Sequence, residues 1–337
     1  MKIALFEVSK EEQVFFSQLL NNLEVSFFEE KLDENNANLA KRADVICVFV
    51  NSAVNKKVID ALPNLKFIAT RSTGFNHIDC EYAKTKGIKI SNVPAYGSHT
   101  VAEFTFGLIL NFSRNIIKAN NYIRESSDFN YFSAMEGFDL EGKTLGIIGL
   151  GKIGKNVLKI AKAFGMNIVA YDLYPDSVFA KENDFEYKGL TEVISESDIL
   201  TLHAPYNKEN HHLINKKNIS LMKKGVYLIN TARGALIDTE ALLWGLKEGI
   251  IAGAGLDVLE GEQELKEEIQ ILSSLGKSTR IKNYKTLLED HVLIDLPNVI
   301  ITPHIAFYTR EAVAEILKTT ILNIKGFLSN SMINLVK

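Results

Sequence analysis

The chain has 337 residues, of which 46% are hydrophobic and 23% charged, and its formal net charge is −3. That length allows about two domains of roughly 100 to 200 residues each, and the composition argues against disordered and fibrous classes. With no long basic run there is no electrostatic footprint for nucleic acid or an anionic membrane surface, so a small-molecule partner is expected. No stretch approaches the ~20 consecutive apolar residues of a spanning helix. The opening run Met1-Lys2-Ile3-Ala4-Leu5-Phe6-Glu7 meets charge too early for a signal peptide, and a cytoplasmic protein is expected. Cys47 and Cys80 have no paired spacing and read as bland or buried thiols.

Short apolar runs alternate with helical segments from end to end, the pattern of an α/β protein with parallel sheets covered on both faces. The first runs lie at residues 3–8, 45–50, 67–71 and 88–93, and the helical segment 79–86 closes at Gly87. After Pro94 and Gly97, residues 99–120 place Val101, Phe104, Leu108 and Ile109 at helical spacing and read as one helix joining two domains. A polar, aromatic stretch at 125–138 leads to the turn Asp139-Leu140-Glu141-Gly142-Lys143. A second set of strands is expected at 144–149, 167–172, 199–204, 226–231, 251–258 and 299–302, matching the six strands of a doubly wound dinucleotide domain. Residues 263–296 read as a long irregular piece, and 310–328 as an amphipathic helix that packs on one of the two domains.

The run Gly149-Leu150-Gly151-Lys152-Ile153-Gly154 follows a buried strand and opens a helix. Gly149 permits the tight turn, Gly151 lets backbone approach a pyrophosphate, and Gly154 lets helix and strand pack closely. The first N–H groups of that helix, around Lys152 and Ile153, would face the pyrophosphate. Asp172 follows at the expected distance of about 20 residues, where it can accept hydrogen bonds from ribose hydroxyls and repel a 2′-phosphate. This favours NAD over NADP.

Three later strand ends carry charge or imidazole: Arg233, Glu262 and His304. Arg233 can bind a carboxylate through its planar fork and polarise an adjacent carbonyl. His304 can donate a proton as hydride arrives, while Glu262 orients its ring and favours the imidazolium. Among the other histidines only His203, near a cofactor-facing strand end, has context; residues 77, 99, 211, 212 and 291 have none. No metal is expected, since no H-x-x-H or clustered Cys/His spacing appears. No G-x-S-x-G nucleophile motif appears either.

On these residues the chain resembles the D-specific 2-hydroxyacid dehydrogenases, and among them the NAD-dependent lactate enzymes. The likeness runs through Arg71-Ser72-Thr73-Gly74-Phe75-Asn76-His77-Ile78-Asp79, Asn92-Val93-Pro94-Ala95-Tyr96, the glycine turn, Leu202-His203-Ala204-Pro205, Asn230-Thr231-Ala232-Arg233-Gly234 and Thr302-Pro303-His304-Ile305-Ala306-Phe307. The resemblance implies a Rossmann-type NAD-binding domain at 99–305, inserted in a flavodoxin-like catalytic domain of 1–98 plus 306–337, and a homodimer. It implies Arg233, Glu262 and His304 as the catalytic set, with His203, Ala204, Pro205, Thr231 and Ala232 lining the cofactor and Asp257 near its carboxamide. Thr73 and Gly74 would offer N–H groups to the substrate carboxylate, Tyr96 would touch the substrate, and Phe49 and Phe307 would wall its side chain. Pyruvate is the first expected substrate. The stretch Leu265-Lys266-Glu267-Glu268-Ile269 departs from the lactate pattern and leaves larger 2-keto acids open, such as 2-oxoisocaproate and phenylpyruvate. A phosphoglycerate-type substrate is disfavoured, and an NAD-sensing corepressor is the alternative from another functional class.

Overall fold

A computed structural model describes residues 1–262, 264–266, 268 and 283–336, except for the side chain of Ala134. The chain forms two units, one of Met1–Gly97 with Tyr308–Lys337 and the other of Ser98–Phe307.

The first unit is built on β1 (Lys2–Leu5), β2 (Glu24–Phe27), β3 (Val45–Val48), β4 (Phe67–Thr70) and β5 (Lys89–Ser91). The strands are all parallel in the order β2-β1-β3-β4-β5, the flavodoxin-like winding. Successive side chains point to opposite faces. Ile3, Leu5, Val45, Cys47, Phe67 and Ala69 therefore pack on Leu317, Ile321 and Ile324 of the Arg310–Leu328 helix, which settles where the last helix belongs. The alternate residues Ala4, Ile46, Val48 and Ile68 pack on the other face with Val58, Ile59 and Ala83. Each large aliphatic side chain buried this way contributes roughly 1.5–3 kcal/mol. Burial pushes the Cys47 thiol up to about 12, so it stays an inert apolar group. The helix expected at 79–86 forms as Cys80–Thr85, capped by the Asp79 carboxylate, which accepts the Tyr82 N–H.

The second unit carries β6 (Thr144–Ile148), β7 (Asn167–Tyr171), β8 (Glu186–Tyr187), β9 (Ile199–Leu202), β10 (Val226–Asn230), β11 (Ile251–Leu256) and β12 (Val299–Ile301). Its parallel order, β12-β11-β10-β9-β6-β7-β8, reverses direction at β6, the topological switch point of a doubly wound sheet. One face packs Leu145, Ile147 and Ile199 on Val157, Leu158 and Ala161 of the Lys152–Ala163 helix. The other packs Ile148, Leu200, Leu228 and Leu256 on Leu242 and Leu246 of the Thr239–Lys247 helix.

Four expectations change. The second sheet has seven strands, not six, because β8 is a two-residue edge strand too short to show periodicity. The first sheet gains β2, an edge strand whose Glu-Val-Ser-Phe run is half exposed. The single helix expected at 99–120 is two, Ser98–Arg114 and Ile116–Ser126, separated by Asn115 at φ 51, a left-handed conformation that Asn tolerates. Within 263–296, residues 263, 267 and 269–282 lie outside the described residues, but the remainder is not irregular: Tyr284–Asp295 is a helix capped by Asn283. No described helix is long and apolar enough to cross a membrane.

Candidate active site

The glycine turn leaves β6 at the switch point and opens the Lys152–Ala163 helix. Gly149 has φ +93, and a Cβ there would lie 2.5 Å from the Ala204 nitrogen and 2.7 Å from the His203 carbonyl carbon, so no larger residue fits against the end of β9. Gly154 answers to a different neighbour, since its Cβ would meet the Gly149 carbonyl oxygen at 2.2 Å. Gly151 has open space around the missing Cβ, with nothing within 4 Å, and it caps the helix without a side-chain hydrogen bond. The N–H groups at Lys152 and Ile153 thus open onto a cradle that a pyrophosphate fits. At the end of β7 the Asp172 carboxylate accepts the N–H groups of Leu150 at 2.6 Å and Tyr174 at 2.8 Å, which holds it beside the turn.

His203, Ala204 and Pro205 follow β9, and the His203–Ala204 backbone lies against Gly149 of the same turn. Burial holds the His203 imidazole down to about 3, so the ring is neutral. Its Nε2 lies 3.0 Å from the Thr201 hydroxyl, while its buried Nδ1 has no partner among the described residues.

Two further loops meet after β10 and β11. Asn230 ties the first of them by accepting the Ala232 N–H at 3.0 Å and donating to the Arg233 carbonyl at 2.9 Å. Thr231 is buried, with its hydroxyl 3.2 Å from that of Thr105. A Cβ on Gly234 would lie 2.0 Å from the Leu259 carbonyl oxygen, so Gly234 lets the Arg233 loop lie directly on the loop that runs to Glu262. Arg233 is half-buried, and the one bond its guanidinium makes among the described residues is to the Ala232 carbonyl at 2.6 Å.

Glu262 and His304, separated by 42 residues in sequence, come together: His304 Nδ1 is 3.1 Å from Glu262 Oε1 and 3.2 Å from Oε2. The Lys266 ammonium lies 2.9 Å from Glu262 Oε1. Burial raises the Glu262 carboxyl, but the hydrogen bonds and charges of His304 and Lys266 outweigh it and bring it down to about 2. The Nε2 edge of His304 carries no bond among the described residues, so this arrangement can present a proton donor at that nitrogen.

His304 itself sits at φ +57, and Asp257 holds the turn that keeps it there. The Asp257 carboxylate accepts the Thr302 hydroxyl at 2.6 Å and the N–H groups of Ile305 and Ala306 at 2.9 Å each. Expected near the cofactor, Asp257 thus has both oxygens engaged within the protein; burial raises its pKa against these bonds. Phe307, half-buried, ends the same segment.

In the first unit, Thr73 and Gly74 follow β4. The Thr73 hydroxyl donates to the Val93 carbonyl at 2.8 Å and the Gly74 carbonyl accepts the Ser72 hydroxyl at 2.6 Å, which shapes the loop around their N–H groups. Phe49 follows β3, with its N–H on Glu7 at 3.1 Å and the Arg71 guanidinium over its ring at 5.1 Å. Tyr96 is half-buried next to Gly97, at the end of the unit's first segment.

The sequence profile of the D-isomer specific 2-hydroxyacid dehydrogenase family, NAD binding domain, matches residues 106–306. The chain belongs to this family. An aromatic 2-oxoacid reductase of Clostridium sporogenes is 40% identical over 308 residues, spanning 90% of this chain and 88% of that protein. The D-lactate dehydrogenase of Escherichia coli is 37% identical over 333 residues, spanning 97% and 96%. A solved structure of D-lactate dehydrogenase from Aquifex aeolicus, complexed with NAD and lactic acid, matches with a TM-score of 0.87 at 38% identity, covering 98% of this chain and 96% of that one.

NAD is the cofactor of this dehydrogenase, and its glycine cradle fits that group. Sequence reasoning passed over two residues that shape the loop before Glu262. Gly234 provides the close approach just described, and Asp290, fully buried on the Tyr284–Asp295 helix, accepts the Gly261 N–H at 3.0 Å. The Arg-Gly pair was a visible signal for the first. Nothing in local spacing marks the second, which lies 29 residues from its partner.

Proposed function

We propose that this dehydrogenase reduces a short 2-keto acid, pyruvate by preference, to the D-2-hydroxy acid. The observation that carries the reading is the Glu262–His304 pair, a proton donor backed by an ionised carboxylate and held on a turn pinned by Asp257. Gly149, Gly151, the N–H groups of Lys152 and Ile153, and Asp172 hold the dinucleotide, with His203, Ala204, Pro205, Thr231 and Ala232 around it. When bound, the reduced cofactor supplies the hydride. His304 gives its proton to the carbonyl oxygen, and Glu262 stabilises the imidazolium until that transfer. Arg233, with guanidinium N–H groups to spare, pairs with the substrate carboxylate and polarises the carbonyl beside it.

In the unit of Met1–Gly97 with Tyr308–Lys337, which we assign as the substrate domain, Thr73 and Gly74 offer N–H groups to the carboxylate and Tyr96 touches the substrate. Phe49 limits the side chain. A second reading, reduction of a larger or aromatic 2-keto acid, is supported by the likeness to the Clostridium reductase.

A kinetic panel of pyruvate, 2-oxoisocaproate and phenylpyruvate with NADH and NADPH tests both. The highest kcat/KM is expected for pyruvate with NADH. A maximum at phenylpyruvate selects the second reading, and no turnover with any of the three sinks the reductase.

A further inference from the structure

The second unit holds a group of metal-ligating side chains that the reduction does not use. His211 and His212 lie on the loop after β9 and Glu260 on the loop after β11, and one ligand atom from each lies within 4.8 Å of the others. His212 Nε2 is 2.6 Å from Glu260 Oε1, and the His211 ring stacks on that of His212 with centroids 3.8 Å apart. An ordinary ion pair would need only His212 and Glu260. His211 brings a second imidazole to the same point while remaining exposed, so an ion has a route in.

The outer partners are those that orient metal ligands. The second oxygen of Glu260 accepts the Thr239 hydroxyl at 2.9 Å, which leaves Oε1 to face the histidines. His212 Nδ1 faces the Asp238 carboxylate at 4.0 Å, beyond hydrogen-bond distance. The Tyr206 hydroxyl lies 3.5 Å from His211 Nδ1, so Nε2 is the nitrogen left for an ion. His212 is held at φ +53, a conformation uncommon for a residue of this size.

Two imidazoles and one carboxylate, with a fourth position open to water, form a donor set that zinc takes in preference to magnesium or calcium. We propose that His211, His212 and Glu260 form a zinc-type site that clasps the loop after β9 to the loop after β11. Bonds of ~2.0–2.2 Å separate tetrahedral ligands by roughly 3.3 Å, so His212 and Glu260 must part by less than an ångström, and the exposed His211 ring must turn out of its 26° stack on His212 to aim a nitrogen at the ion. The proton they share leaves to solvent as the ion enters. The site does not depend on the reductase reading, because its readout is bound metal.

The test uses full-length, tag-free protein stripped with a chelator and then dialysed against zinc chloride, with metal content and calorimetric affinity measured. One zinc per chain is expected at this site. His211→Asn and Glu260→Gln should each weaken binding at least tenfold, and zinc should raise the Tm of the parent but not of His211→Asn. His291→Asn, which alters a different histidine–glutamate pair, should bind like the parent. A parent that takes up no zinc, or a His211→Asn protein that binds with parental affinity, overturns the site. Parental pyruvate turnover in metal-free His211→Asn would show the fold intact.

Discussion

At the ends of β1 and β4 the charged side chains of Glu7 and Arg71 are engaged by the fold, whereas Arg233 and His304, at the ends of β10 and β12, are held with bonding capacity to spare. The Glu7 carboxylate accepts the N–H groups of Phe49, Asn51 and Ser52 at 3.1, 3.1 and 2.9 Å, and the Ser52 hydroxyl at 2.6 Å. Arg71, 2% exposed, donates to Glu12 at 2.8 Å, to the Phe6 carbonyl at 3.1 Å and to the Glu7 carbonyl. By contrast, among the described residues His304 spends only Nδ1 and the Arg233 guanidinium makes a single bond, to the Ala232 carbonyl. A charge at a strand end becomes available for chemistry only when the fold fixes its position without saturating it. Burial alone does not separate the two cases.

The largest test falls on the unsaturated side. His304→Gln should lower turnover by roughly 10²-fold or more while NADH binding, read by fluorescence titration, is retained. A near-normal rate would break the contrast. On the other side, Arg71→Leu leaves Glu12 and two carbonyls without their donor, although the buried Arg71 Nε itself has no partner among the described residues. Losing one partner of such a buried pair costs about 3–5 kcal/mol, read as a lower Tm of the first unit with NADH affinity unchanged. If stability held and pyruvate turnover vanished, Arg71 would belong with Arg233.

The smallest expected effect concerns Asp290, which is buried yet has one oxygen without a partner among the described residues. Burial pushes its carboxyl up to about 7, with Glu260, Glu264 and Glu289 adding to the rise and the Gly261 N–H opposing it. A folded value above the unfolded one means that the native state keeps a proton the unfolded chain has lost. The stabilisation is therefore complete below the unfolded value of about 3.9 and is lost as pH rises through 7. Between pH 5 and pH 8 the parent should lose about 2–3 kcal/mol that Asp290→Asn does not lose. Calorimetric melting of both proteins at the two pH values checks this, and a constant difference between them would remove Asp290 as a titrating group.

Much of this molecule could be read from residue order alone. Buried parallel strands must be apolar on both faces, so the runs at 45–50 and 144–149 announce themselves, and the spacing of Gly149, Gly151 and Gly154 marks one strand-to-helix turn, although what requires Gly149 includes the distant His203–Ala204 backbone. Asp172 follows from the length of one βαβ unit. Edge strands such as β8 have no such signature, and Asn115 breaks a helix whose apolar spacing runs past it. Only the tertiary structure decided that Asp257 serves the turn carrying His304, and that Gly234 and Asp290 shape the loop before Glu262. Those contacts join residues far apart in sequence, and sheet order, which no local periodicity encodes, determines which loops lie side by side.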